Sequence, residues 1–287
     1  MIGKEREEQW DIVVEGGKNK LSLKFEELWR YRDLILQFSR RDIATVYNQT
    51  ILGPLWFLIQ PLLTSVLFLV VFGGIAHIQT GTIPGMLFYL SGLTIWNYFL
   101  TCFTAIANTF VTNSGIFGKV YFPRLVMPLS KVISSLFVFG AQLILFLGFL
   151  IYYAVFHVKG FSFHCSPYLF LIPYLLIVMG GLALGLGIII SSLTTKYRDL
   201  SYLVTFGVQL LMYVTPVIYP LPSAGKKRMF ILANPMSSII ENFRYAFFTE
   251  GPFHWLPLVY SSIFMIITLL IGILIFNKIE QNFMDTV

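Results

Sequence analysis

Apolar residues run through this chain in long unbroken stretches. Six of them lie at about 51–76, 84–107, 126–156, 168–194, 200–220 and 256–276. A helix needs about twenty apolar residues to cross a hydrocarbon core of about 30 Å, and each run is of that order. None alternates with period two, so helices and not barrel strands are expected. The third run is long enough to tilt or to begin among the headgroups. The fold class that follows is an all-α polytopic membrane protein: six transmembrane helices, an N-terminal amphipathic interface helix, and short re-entrant outer helices before the last span. Residues 1–50 would be a cytoplasmic tail with the interface helix, and residues 51–287 the six-span domain.

Two further segments are patterned without being able to span. In 25–41, FEELWRYRDLILQFSRR, a helix places Leu28, Tyr31, Ile35 and Phe38 on one side, with Phe25 and Leu36 near its edge. Glu26, Arg30, Asp33, Gln37, Arg40 and Arg41 fall opposite, and Arg32 is the misfit. Such a helix lies in the membrane interface. In 229–248, MFILANPMSSIIENFRYAFF, the apolar pattern is cut by Asn234-Pro235 and then by Glu241 and Arg244. A short helix dipping in and out from the outer face fits, provided its broken backbone is buried in protein or faces water.

Composition sharpens this picture. Of 287 residues only 12% are charged, about half the share of a soluble domain. Nine of the fourteen acids lie in residues 1–42, and none lies between Asp42 and Asp199. That excludes a soluble enzyme, a nucleic-acid-binding domain and a disordered chain. The polar, mixed-charge residues 1–24 lack the short basic region and apolar core of a cleaved signal, so the N-terminus is expected to be retained. With both termini inside, fifteen of the twenty Lys and Arg residues fall on the cytoplasmic side, as the positive-inside rule requires. The Lys226–Arg228 run is the local exception. Cys102 and Cys165 fall in a span and an outer loop, poorly placed to pair, and suggest no metal site.

The predicted spans contain no acid and none of the four histidines, which disfavours ion coupling and intramembrane carboxylate chemistry. No GxxxxGK[ST] motif is present, so this chain holds no ATP in a P-loop and its energy must come from a partner. Uncharged polar and aromatic residues recur at helical spacing. The first span has Gln49, Gly53, Trp56, Gln60 and Thr64; the second has Thr94, Asn97, Thr101, Thr104 and Asn108; the fifth has Tyr202, Phe206, Gln209, Tyr213 and Pro216. Amides, hydroxyls and flat rings suit a sugar conduit, and equally suit helix packing or interface belts. Gly181-x-x-x-Gly185 reads as close helix packing. The turn NSGIFGKVYFPRLVMPLSK joins Phe117, Tyr121 and Phe122 to Lys119 and Arg124 between Pro123 and Pro128. That is a stiff amphipathic element able to dock into a partner's groove.

Several of these stretches together resemble the membrane subunit of bacterial polysaccharide-exporting ABC transporters, the family that handles O-antigen, capsule and teichoic-acid chains. They are LWRYRDLILQFSRRDI, QTILGPLWFLIQPLL, SGLTIWNYF, GKVYFPRLVMPLS, KYRDL, TPVIYP, NPMSSIIENFR and KIEQNFMDTV. They cover the chain from about Trp10 to Val287 in the expected order. The resemblance implies a homodimer with two copies of a separate P-loop ATPase, ATP and Mg bound on that partner and no cofactor on this chain. It places the protein in the bacterial inner membrane. It makes Phe117, Lys119, Tyr121, Phe122, Pro123 and Arg124 the coupling helix, and Gln49, Trp56, Gln60, Tyr202, Phe206, Gln209 and Tyr213 the lining of a channel between copies. The helix with Tyr31, Arg40, Arg41 and Tyr47 becomes the gate where a lipid-linked polysaccharide arrives, its pyrophosphate meeting basic residues. Arg40 and Arg41 also read as ordinary interface anchors. The sequence departs from many relatives at VYNQT, where they carry a basic residue near Asn48, a change that bears on how the polymer head is met. Exporters of teichoic acid, or of a smaller lipid or drug, remain alternatives. A membrane glycosyltransferase or acyltransferase is disfavoured by the acid-free middle.

Overall fold

The computed structural model describes residues 25–48, 52–117, 122–156, 161, 163, 165–194, 199–221 and 228–283. Every regular element among them is helical. Five helical stretches are long and apolar enough to cross a membrane: Gly53–Ile75, Gly85–Ala107, Val126–Val155, Pro167–Thr194 and Trp255–Asn277.

The amphipathic segment forms two helices, α1 (Phe25–Arg30) and α2 (Arg32–Asn48), broken at Tyr31. The helix runs seven residues beyond the expected end at 41. Its apolar side is the expected one, but it is covered by protein. Ile35 joins Phe122, Val126 and Met127 in a small core, with Leu28, Tyr31 and Phe38 packed around it. Leu36, on the edge, stays exposed. A turn at Gly53, whose φ of 52° suits a residue without Cβ, leads into α3 (Trp56–Phe68), which continues as wider π-type turns to Ile75.

α4 (Gly85–Ala107) is the hub, with every side chain from Met86 to Trp96 buried. Around it stand α3, α6 (Val126–Val155), α7 (Ile172–Thr194) and α10 (Pro235–Phe248). The polar stripe of this second span is therefore largely a packing stripe. Thr94 is buried and returns its hydroxyl to Leu90 O at 2.8 Å, and Thr104 does the same to Leu100 O at 2.7 Å. Hydroxyls used this way spend their one donor on the preceding turn and keep only acceptor capacity.

Glycine decides how closely α7 meets its neighbours. A Cβ at Gly185 would lie 2.8 Å from both Leu269 N and Thr268 C of α11 (Trp255–Phe283), and one at Gly272 would lie 2.9 Å from Gly185 O. The expected close packing at Gly181-x-x-x-Gly185 is thus observed, with α11 as its partner.

The fifth apolar run forms α8 (Leu200–Val214), 15 residues long, or about 22 Å at 1.5 Å per residue. It ends six residues before the expected boundary. Thr215 is extended because the ring of Pro216 disfavours the helical region for the residue before it. The next segment behaves as expected. Asn234 breaks it, accepting from Met236 N at 3.1 Å to cap α10, with Pro235 in the first helical turn, where a missing N–H costs nothing. α9 (Arg228–Ala233) precedes the break. Protein side chains meet the break: Tyr260 Oη donates to Ala233 O at 2.9 Å, Ser261 Oγ to Pro235 O at 2.6 Å, and Asn234 Nδ2 to Thr215 Oγ1 at 2.9 Å.

Candidate functional site

Two helix faces carry most of the expected channel residues. On α3, Trp56 is 48% exposed and Gln60 is exposed. On α8, Tyr202, Phe206, Gln209 and Tyr213 are all exposed, and Val208 is the buried side chain of the helix. Exposed Leu55, Leu63 and Leu67 on α3, and Leu203, Leu210 and Val214 on α8, surround them. Both helices pack on α4, so the two stripes flank one hub. Unlike Thr94 on α4, these side chains stay exposed among the described residues. Gln49 lies outside the described residues.

The described residues expected at the gate and in the coupling turn lie where α2 packs on the start of α6. The 30 residues of α6 span about 45 Å, more than a bilayer core requires, and its first turns form a platform for α2. Ser39 Oγ reaches Ser130 O at 2.9 Å, and Lys131 Nζ reaches Asp42 Oδ2 at 2.6 Å. That ion pair is largely shielded, with side-chain exposures of 14% and 18%. Neither Asp42 nor Lys131 was singled out by sequence. The available signal was a Lys at the start of a span and the last acid before the acid-free stretch.

Arg41 is engaged within the chain. Its Nη2 lies 3.1 Å from Asp42 Oδ1 and 3.3 Å from Asn113 Oδ1, and its guanidinium sits 4.9 Å above the Phe38 ring. Arg40 is exposed on the other side of α2, and Tyr31 marks the helix break. Tyr47 lies in the last turn of α2, with its side chain outside the described residues.

Within the expected coupling turn, Phe117 closes α5 (Thr109–Phe117). Lys119, Tyr121 and the Phe117 side chain lie outside the described residues. Phe122 points inward: it is 5% exposed and its ring lies 5.7 Å from that of Phe38. A ring of that size gains by burial against α2. Pro123 and Arg124 are half-buried beside it.

A second polar cluster was visible in sequence only as an interruption. Arg244 is 4% exposed in α10. It donates to Val217 O at 2.6 Å, to Pro216 O, to Phe88 O at 3.4 Å and to Glu241 Oε1 at 3.1 Å. Its guanidinium also lies 3.7 Å above the Phe88 ring. The carbonyls of Pro216 and Val217 lost their helical partners when α8 broke, and a buried orphan carbonyl is costly. Arg244 supplies the missing donors and ties the broken end of α8 to α4. Burial pushes the Glu241 carboxyl above its ordinary range, opposed by Arg244.

Residues 33–248 match the ABC-2 type transporter family. The chain is 29% identical over 257 residues to an O-antigen export system permease protein of Klebsiella pneumoniae, covering 88% of this chain and 94% of that protein. It is 25% identical over 266 residues to a permease of the same description from Myxococcus xanthus, covering 91% and 98%. It is 24% identical over 247 residues to a polysialic acid transport protein of Escherichia coli, covering 84% and 91%. A helical bundle with five membrane-length helices, matched across three quarters of its length, belongs to the ABC-2 type transporter membrane family.

Proposed function

We propose that this chain is the permease of an ATP-driven exporter that carries a lipid-linked polysaccharide, of the O-antigen class, across the bacterial inner membrane. The observation that carries it is the pair of unpacked amide-and-aromatic faces on α3 and α8, on a chain whose relatives are described as polysaccharide permeases. Two copies bring these faces together around a channel, with α8 as the fifth of six spans and both termini cytoplasmic. Sugar hydroxyls exchange hydrogen bonds with Gln49, Gln60 and Gln209. Sugar rings slide over Trp56, Tyr202, Phe206 and Tyr213, since stacking holds no fixed register.

Two copies of a P-loop ATPase supply the energy, with ATP and Mg bound there. Phe117, Lys119, Tyr121, Pro123 and Arg124 form the contact with them. Phe122, Ser39–Ser130 and Asp42–Lys131 fasten the turn, α2 and the start of α6 into one unit. A push on the turn therefore moves the gate helix. The polymer head arrives beside Tyr31, Arg40 and Tyr47, and Arg41 holds the helix in place.

The double substitution Trp56→Ala with Tyr213→Ala should reduce long-chain surface polysaccharide at least about tenfold while a P-loop ATPase still copurifies. Normal surface polysaccharide would refute the channel assignment. Loss of a small lipid from the outer leaflet, with surface glycan intact, would favour the exporter of a smaller cargo.

A further inference from the structure

Beside the Arg244 clip lies a cavity of about 380 Å³, walled by the turn 79–83, by Pro220, Leu221 and Arg228, by α10, and by residues 250–254. Small-molecule sites occupy about 300–1,000 Å³. Five ionisable side chains line it: Arg228, Glu241, Arg244, Glu250 and His254.

Its walls are held firmly. Asn242 forms a two-point pair with His254, accepting from His254 N at 3.0 Å and donating to His254 O at 3.2 Å. Thr80 Oγ1 donates to Ile83 O at 2.8 Å. Glu250 rests on this turn, with Oε2 3.2 Å from the position of a Cβ on Gly81.

The charges discriminate among ligands. Among the described lining residues two arginines face two carboxylates. Both Nη groups of Arg244 are spent on Glu241 and on backbone carbonyls, which leaves Arg228 as the cation among those residues that can meet an anion, in the presence of two acids. No group of three or more His, Cys, Asp or Glu able to hold a metal occurs among the described residues. A lipid tail would strand five ionisable groups. A neutral polyol meets none of these objections, because each hydroxyl both donates and accepts. Carboxylates accept from it, Arg228 and Gln79 donate to it, and burial together with nearby Arg228 lowers the His254 pKa, keeping its imidazole neutral.

We propose that this cavity is a glycan subsite holding a neutral glycosyl unit of the cargo, distinct from the stripes on α3 and α8. It rests on the reading of the chain as a polysaccharide permease. The subsite gives the emerging polymer a weak hold beside the break after α8.

The test uses the full chain in lipid nanodiscs, titrated with neutral hexose trisaccharides of gluco, galacto and manno configuration and with a sialic acid trimer. At least one neutral trisaccharide should bind. Arg228→Gln and Glu250→Gln should each weaken it about tenfold, whereas Gly140→Ala on α6, with open space around its Cβ, should not. Arg228 is exposed at the start of α9, so its replacement keeps the fold. Unaltered affinity in both variants, preference for the sialic acid trimer, or no binding of any neutral trisaccharide overturns the subsite. Deleting the gene separates the two readings. Intact surface polysaccharide overturns the permease reading and the subsite with it. Lost surface polysaccharide with unaltered affinity in both variants overturns the subsite alone.

Discussion

Replacing Arg244 by Met removes the side-chain donors to Pro216 O and Val217 O beyond the end of α8. The side chain is 4% exposed, so water does not substitute for it. Pro216 O and Val217 O lose their side-chain donor, at about 1–3 kcal/mol for each buried orphan. Phe88 O loses less, because Ser91 Oγ also donates to it at 2.8 Å. Glu241 loses its counter-charge. Its pKa is already raised by burial, so it takes up a proton and avoids the full cost of a bare buried charge. The sum is about 3–5 kcal/mol, the usual cost of breaking a buried pair, or a fall in thermal midpoint of roughly 10 °C. The chain carries its own reporter. Cys102 is buried and Cys165 exposed, and both are free. In a Cys165→Ser background, labelling of Cys102 by a thiol-reactive fluorophore on heating reads global unfolding. A shift below about 3 °C would refute the clip. The double variant Arg244→Met with Glu241→Met should be less destabilised than the sum of the two single changes, since neither partner is left alone.

Other outcomes follow from the same geometry. Gly185→Ala should cost about 1–3 kcal/mol by overpacking, because its Cβ would press on the main chain of α11. Gly140→Ala on α6, with nothing within 4 Å, should be neutral or stabilising by up to about 1 kcal/mol. Thermal midpoints of the pair check both, and equal values would refute the packing argument. Burial raises the Glu250 pKa in the folded protein. A raised folded pKa gives stability that is full below the unfolded value, about 4.3, and is lost as pH rises through the folded value. The Glu250→Gln variant should therefore gain on the wild type in thermal midpoint as pH climbs above the ordinary carboxylate range. A flat difference between pH 4 and pH 7 would refute it.

Much of this protein was decided by the chain alone. Uninterrupted apolar runs force helices in a membrane, because no water is there to serve an unpaired backbone group. The break at Asn234-Pro235 and the apolar side Leu28–Tyr31–Ile35–Phe38 were equally legible, since capping chemistry and helical period are local. The end of α8 was misread although Pro216 is just as local, because hydropathy continues through Val217 and Ile218 and the average conceals one backbone constraint. What sequence left open was which polar residues are consumed within the protomer. The Thr and Asn stripe of the second span and the Gln and aromatic stripes of the first and fifth are alike uncharged and recur at the same helical spacing. Only packing shows that Thr94 and Thr104 are spent on their own helix while Trp56, Gln60, Phe206 and Tyr213 remain exposed. Phe122, Asp42–Lys131 and Glu241–Arg244 acquired their roles in the same way. A ring or charge is assigned inward or outward by what stands opposite it, and for Phe122, Lys131 and Arg244 that partner lies as far as 84, 89 and 156 residues away.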